Sequence, residues 1–451
     1  MNSLVVAKFG GTSVANYQAM QRCANIVNQN TSTRLVVVSA SAGVTNALVA
    51  LSKGALSEQE QQAQLDGIRE IQSNILAELA SPKKVLKQID DLLAQLSEIA
   101  MSDNLDTNPL LKDELLSFGE RMSSVIFAQV LNELGIKAEC FDAREVMKTD
   151  NRFSQAQPDL VQVKSHVEAS LVKKLSETVI VTQGFIGSDD ESNTTTLGRG
   201  GSDFSAAILA EALAASELHI WTDVSGIFTT DPRITSNARA IPEISFDEAA
   251  EMAIFGAKIL HPATLIPAIR SGTRVFVGSS REPEKGGTWV LKSPENRPAY
   301  RAIALRREQT LLTLKSPNML LASGFLANVF AVLARHKVSV DLITTSEISV
   351  ALTIDNPSNS NTKVLSQGLL DELAEMCQVR VEDKLALVAV IGNRLQETHG
   401  VSANILSCVE QHNLRMICHG ASQHNFCFLI EESLAGSVIT RLHKVLFEQQ
   451  S

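Results

Sequence analysis

Over its first 294 residues the chain alternates short apolar, β-branched runs with longer stretches of helical period. Leu4–Phe9 and Arg34–Ser39 read as strands, and residues 17–27 between them place apolar side chains at helical spacing. Strand, helix, strand in that order predicts a βαβ unit, and so a parallel sheet with helices on its faces. Residues 55–130 hold few β-branched runs and predict helices. Strands resume at Glu139–Phe141, Val179–Thr182, His219–Thr222 and Val275–Gly278. This pattern predicts an α/β three-layer domain over residues 1–294.

Lys292–Pro298, with two prolines among polar residues, predicts a boundary. Beyond it Gly324–Leu352 and Val401–Ile430 match loosely at an offset of 76, with Asn328 on Asn404, His336 on His412 and Ser346 on Ser422. Each copy reads as an amphipathic helix, a strand, a polar turn and a second strand. The helices and first strands are Ala327–His336 with Val338–Thr344, and Ala403–His412 with Leu414–His419. Two small α+β regions are expected, at 299–384 and 385–451.

Composition narrows the class. Hydrophobic residues make up 44% and charged residues 20%, as in ordinary globular proteins. A formal charge of −10 argues against nucleic acid as the main partner. No apolar run reaches the roughly 18 residues of a membrane span, which argues against a membrane partner. No basic segment precedes a long apolar stretch near residue 1, so the expected location is the cytoplasm. The six cysteines are scattered, without a Cys-x-x-Cys pair, and read as buried thiols rather than metal ligands or disulfides.

The candidate chemistry starts where the first strand ends. Lys8-Phe-Gly-Gly-Thr-Ser-Val14 offers a cation, two glycines that expose N–H groups, and two hydroxyls. That suits a phosphate cradle at a strand-to-helix turn, with an ordinary glycine turn as the bland alternative. It is neither a P-loop nor a dinucleotide fingerprint. Thr194–Asp203 sets Arg199 among three glycines ahead of the helix Phe204–Ala215, with Ser202 or Asp203 as its expected cap. An arginine there suits a carboxylate.

Trp221–Arg233 ends a strand at Thr222–Asp223, turns at Gly226 and reaches Asp231-Pro-Arg233. Ligands bind at the carboxyl ends of strands in open α/β sheets, so Asp223 and Arg233 are candidates for a nucleotide. Phe255–Pro262 offers Lys258 ahead of what reads as a helix-ending proline. Glu120 and Arg121 sit in a helical stretch, as a substrate ligand or as a surface ion pair. Together these supply the positioning groups and cations that phosphoryl transfer needs.

Lys8–Val14, Leu197–Asp203, Trp221–Arg233 and Phe255–Pro262 resemble the signature segments of aspartokinases, members of the amino acid kinase fold family. The resemblance runs over essentially the whole chain, is nearest to the monofunctional lysine-sensitive form, and includes C-terminal regions that look like ACT domains. It implies transfer of phosphate from ATP with Mg²⁺ to the β-carboxylate of L-aspartate, the first step toward lysine, threonine and methionine. It further implies that Lys8 and Asp203 are catalytic. Ser39 and Thr45 would orient the β-carboxylate, Arg199 would take the α-carboxylate and Glu120 the ammonium. Lys8, Phe9, Gly10, Gly11, Thr222, Asp223, Phe228, Arg233 and Lys258 would hold the nucleotide; no protein side chain is expected to bind the metal.

The ACT-like regions imply inhibition by L-lysine at Met319, Gly324, Phe325, Leu326, Ser339, Val340, Asp341, Ser346 and Glu347. They also imply a homodimer formed through them, with tetramers as a further step. Two positions depart from the family pattern: Phe228 stands where tyrosine is usual, and Ala322 where serine is frequent. The runner-up readings are a kinase of the same fold acting on glutamate, and an amino-acid sensor without turnover.

Overall fold

The computed structural model describes residues 4–198, 200–256, 260, 262–319, 323–355 and 364–448. They divide into two compact units. The first comprises the described parts of Met1–Ile227, Ala240–Phe246 and Ile259–Pro294; the second comprises those of Phe228–Arg239, Asp247–Lys258 and Glu295–Ser451.

The first unit is built on an eight-stranded sheet. Its order is Ala138–Phe141, Val179–Gln183, Thr33–Val38, Val5–Phe9, Glu217–Thr222, Arg274–Ser279, Gly287–Leu291, Glu243–Ser245. Every pairing is parallel except that of Gly287–Leu291 with Arg274–Ser279. The central strands are continuous apolar runs because helices cover both faces, as the βαβ pattern predicts. Val5–Phe9 and its neighbours Thr33–Val38 and Glu217–Thr222 end on the same edge, in register at Phe9, Val38 and Trp221. That edge collects the turns that carry chemistry.

Caps fix the helices. Asn16 accepts the Ala19 N–H at 2.9 Å and starts the helix Tyr17–Gln29. Ser57 and Glu60 form a reciprocal capping box ahead of Glu58–Leu76. Asn108 caps Pro109–Glu133, whose first residue is the proline favoured at that position. The helix after the second glycine turn starts at Gly201, earlier than the sequence pattern indicates. Neither Ser202 nor Asp203 caps it; Gly200, in the left-handed region at φ 74°, does so without a side-chain bond. Pro262 opens the helix Pro262–Ser271 instead of ending one, since a residue without an N–H costs nothing in a first turn.

The second unit carries a six-stranded antiparallel sheet. Its order is Ile343–Thr345, Ser349–Asp355, Tyr300–Lys315, Gln378–Gly392, Asn425–Glu431, Met416–His419. The two long central strands serve two cores. Residues 300–306 pair with 387–392, next to Asn425–Glu431 and a core containing Ile303, Val388, Phe428 and Ile439. Beyond a register shift, residues 309–315 pair with 378–385, next to Ser349–Asp355 and a core containing Leu312, Val329, Leu352 and Leu369. Glu308 and Lys384 take left-handed φ values of 58° and 60° where the ladder breaks.

The offset of 76 is visible in the elements. Gly324 and Gly400 both start helices from left-handed φ, at 90° and 79°. Ser349–Asp355 maps onto Asn425–Glu431. Two predicted elements are shorter: the strand at 338–344 is confined to Ile343–Thr345, and the helix at 403–412 runs over Val401–Ser407. Residues 341–342 are held instead by bonds of the Asp341 and Leu342 N–H groups to the Thr353 carbonyl and hydroxyl.

Two segments that precede residue 294 belong to the second unit by contact. Thr229 accepts the Ile303 N–H at 2.7 Å through its carbonyl. Its hydroxyl lies 2.8 Å from Nε2 of the fully buried His443, whose Nδ1 lies 2.9 Å from Glu448. Glu248, with no exposed surface, accepts from Arg301 at 2.8 Å and from Asn393 at 2.7 Å. Glu251 accepts from Ser422 at 2.6 Å and Asn425 at 2.7 Å.

Candidate active site

A cleft of about 560 Å³ opens at the carboxyl edge of the eight-stranded sheet, within the first unit. Lys8, Gly10, Gly11, Ser39, Thr45, Glu120, Asp203, Thr222 and Asp223 all line it, so one pocket gathers candidates from five separate stretches of chain. Lys8 leaves the strand near its end and forms an ion pair with Asp203 at 2.6 Å. Both side chains are mostly buried. The pair brings the first glycine turn to the first turn of the helix Gly201–Ala212, whose N-terminal dipole favours an anion.

Gly11 is a close-approach glycine: a Cβ there would lie 2.8 Å from the Ala40 carbonyl. The absence of a side chain lets the turn sit against the loop after Thr33–Val38. Phe9 is wholly buried, with its ring 5.6 Å from Phe127 and 6.5 Å from Trp221, and so packs beneath the turn. The Ser39 N–H donates to the Phe9 carbonyl at 3.1 Å, which ties the two turns together. Ser123 donates to the Ser39 carbonyl at 2.7 Å and so ties the helix Pro109–Glu133 to the same place. Thr45 is exposed in the first turn of Val44–Leu51.

Glu120 projects from the middle of Pro109–Glu133 and is almost fully buried. Burial pushes its carboxyl up to about 7, against the pull of main-chain N–H groups and of Lys8. A buried acid of this kind can gain from a cation delivered by a ligand. Seven residues earlier Asp113, fully buried, accepts hydrogen bonds from Ser154 and Thr196; burial raises its carboxyl and these bonds draw it back. Sequence patterning did not single out Asp113. Nor did it find Ser41, which lines the cleft with a buried hydroxyl lacking a hydrogen-bond partner among the described residues.

Thr222 ends its strand and donates to Asp223 at 3.2 Å; Asp223 is exposed. A hydroxyl and an exposed carboxylate are hard oxygen donors and fit Mg²⁺, which keeps water and phosphate ligands beside one or two carboxylates. Arg199 and Lys258 lie outside the described residues. Phe228 and Arg233 belong to the second unit, where Arg233 is exposed and paired with Asp231 at 2.7 Å.

The expected effector residues are also in the second unit. Met319, Phe325 and Val340 pack on one small core, beside Gly324 and the exposed Leu326. Ser339 is exposed, and Asp341 faces Arg306 at 3.4 Å, so its carboxylate already has a cation. Ser346 bonds the Ser349 hydroxyl at 2.6 Å in the turn that also holds Glu347. Ala322 lies outside the described residues. Among the described residues, no helix is long and apolar enough to cross a membrane.

Comparison with known proteins adds to this geometry. Residues 3–279 match the amino acid kinase family, and residues 388–446 match an ACT domain. The chain is 54% identical to lysine-sensitive aspartokinase 3 of Escherichia coli K12, over 99% of this chain and all of that one. It is 34% identical to chloroplastic aspartokinase 1 of Arabidopsis thaliana, over 98% of this chain and 80% of that one. Among solved structures, E. coli aspartokinase III with aspartate and ADP (R-state) matches with a TM-score of 0.88 and 53% identity, covering 98% of this chain and 100% of that one. The same enzyme with lysine and aspartate (T-state) gives 0.87 and 54%, covering 98% and 99%.

Proposed function

The chain belongs to the amino acid kinase family and is an aspartokinase, and from that premise we propose how its residues divide the work. A β-carboxylate oxygen of L-aspartate attacks the γ-phosphorus of ATP, the bond to the ADP oxygen breaks, and 4-phospho-L-aspartate forms. The attacking carboxylate is ionised at neutral pH and needs no general base. Catalysis is then positioning plus stabilisation of charge on the transferring group.

Lys8 supplies that charge, and Asp203 holds its ammonium in place at 2.6 Å. Gly10 and Gly11 present main-chain donors to the phosphates. Glu120 receives the ammonium of aspartate, Arg199 its α-carboxylate, and Ser39 and Thr45 its β-carboxylate. The observation that carries this reading is that the buried Glu120 lines the same cleft as the Lys8–Asp203 pair. Thr222, Asp223, Phe228, Arg233 and Lys258 hold the nucleotide, with Phe228 stacking but without a phenolic hydroxyl; Phe9, expected among them, is buried beneath the turn and supports it from below. Thr222 and Asp223, both lining the cleft, would hold the Mg²⁺ that accompanies ATP, whose charge would offset that of the phosphates.

We further propose a catalytic domain at 1–294 and ACT-like regulatory regions at 299–384 and 385–451. L-lysine binds at the segments containing Met319, Gly324–Leu326, Ser339–Asp341 and Ser346–Glu347, and favours an inactive arrangement. The E. coli structures with aspartate, ADP and lysine support these assignments by similarity. A cytoplasmic homodimer formed through the regulatory regions, with tetramers as a further step, completes the reading.

The test is ADP release from MgATP with L-aspartate and then L-glutamate, each with and without millimolar L-lysine. Turnover on aspartate that lysine suppresses supports both halves of the reading. Turnover on glutamate alone overturns the substrate; turnover blind to lysine overturns the effector site.

A further inference from the structure

Glycine-rich turns need an outside support, because their own backbone does not select one conformation. Gly198 and Gly200 both adopt left-handed φ, at 75° and 74°, and together with Gly201 they line the cleft. The support is one carboxylate. Asp113 Oδ2 accepts the Thr196 N–H at 2.7 Å and the Ser154 N–H at 2.8 Å. Its Oδ1 accepts the Thr196 hydroxyl at 3.0 Å, the Ser154 N–H at 3.0 Å and the Ser154 hydroxyl at 3.3 Å. Thr196 lies two residues before Gly198 in the chain. Ser154 packs against Gly198, where an added Cβ would come 3.1 Å from the Ser154 carbonyl. Ser154 is itself a non-glycine residue at φ 69°, a conformation that persists only when its surroundings enforce it.

Asp113 and Glu120 are seven residues apart on one helix, about two turns, and so share a face. We propose that Asp113 is a positioning residue for the amino acid substrate, clamping the glycine turn onto the helix that presents Glu120. This rests on the reading that Glu120 and the turn together hold aspartate. Asp113 touches no substrate; it sets the distance between the groups that do. A carboxylate suits the task because two of its donors are main-chain N–H groups that cannot reverse, while the two hydroxyls can.

Steady-state kinetics on the full chain test it. Asp113→Ala is expected to raise the aspartate KM about tenfold or more and leave the MgATP KM within about twofold. Asp113→Asn keeps one oxygen for the N–H pair and lets the hydroxyls turn to accept from its amide, so it is expected to stay within about threefold of the parent. Thr196→Val removes a single bond, guards against misfolding of the alanine variant, and is expected to raise the aspartate KM by about two- to threefold. Equal changes in both KM values, or a fall in kcat alone, would overturn the clamp. Glu120→Gln separates the two levels: if it raises the aspartate KM while Asp113→Ala does not, the clamp alone is wrong. If Glu120→Gln has no effect, the substrate reading fails and the clamp falls with it.

Discussion

Two glutamates sit on helices, buried, and do opposite things. Glu248 in the second unit is paired within the protein: Arg301 and Asn393 both donate to its Oε1, at 2.8 and 2.7 Å, and no surface is left. Glu120 in the first unit is under-supplied: burial lifts its carboxyl to about 7, and Lys8, the cation among the described residues that pulls it down, is itself paired with Asp203. A carboxylate that the fold has already neutralised holds the structure together. One left short of a cation at the wall of a cleft is kept for a ligand.

The largest expected effect falls on the paired side. Arg301→Ala strands Glu248 as a buried, half-compensated charge and should cost about 3–5 kcal/mol, read from the urea midpoint. On the other side, Lys8→Met should lower kcat by about 10²–10³-fold, the scale for removing one group that stabilises transition-state charge. It should also move the pH dependence of aspartate binding upward, since Lys8 pulls the Glu120 carboxyl down. Glu120→Gln should raise the aspartate KM about 10- to 100-fold, the scale of a lost charge-assisted bond. If Glu248→Gln moves that KM as far, the contrast between the two acids collapses.

Titration sharpens the same contrast. The folded state holds the Glu120 proton more tightly than the unfolded chain, from an ordinary value of 4.5 to about 7. Its contribution to stability is therefore full below pH 4.5 and lost as pH rises through about 7. Thermal melts of the Glu120→Gln variant should gain on the parent at pH 8 and not at pH 4, while the aspartate KM of the parent should fall as pH rises through about 7. The smallest change is Thr229→Val, which leaves the buried Nε2 of His443 without its partner and should cost about 1–2 kcal/mol in the urea midpoint.

Much of this is legible in the sequence. Val5–Phe9 and Thr33–Val38 are dense β-branched runs, and the glycine turn after Phe9 marks its own strand end. The 76-residue offset predicts a second strand in each copy, and Ser349–Asp355 and Asn425–Glu431 lie at that offset. Asp113 was not legible: an acid near a helix start usually means a solvated first turn, and its partners at 154 and 196 are remote in sequence. The long strands Tyr300–Lys315 and Gln378–Gly392 hide for another reason, since each changes core midway and its apolar period is interrupted by the register shift. The start of the helix at Gly201 was missed because a left-handed glycine can begin a helix with no polar cap to announce it.

A regulator appended to a finished enzyme would leave a seam, a single connecting peptide where the parts could be separated and exchanged. This chain has none at residue 294, because segments 228–239 and 247–258 have their partners in the later unit. A fragment cut there would keep Glu248 and Glu251 and lose Arg301, Asn393, Ser422 and Asn425. A chimaera joined at the apparent linker would therefore set those two segments from one parent against the tail of another, with mismatched partners at these bonds.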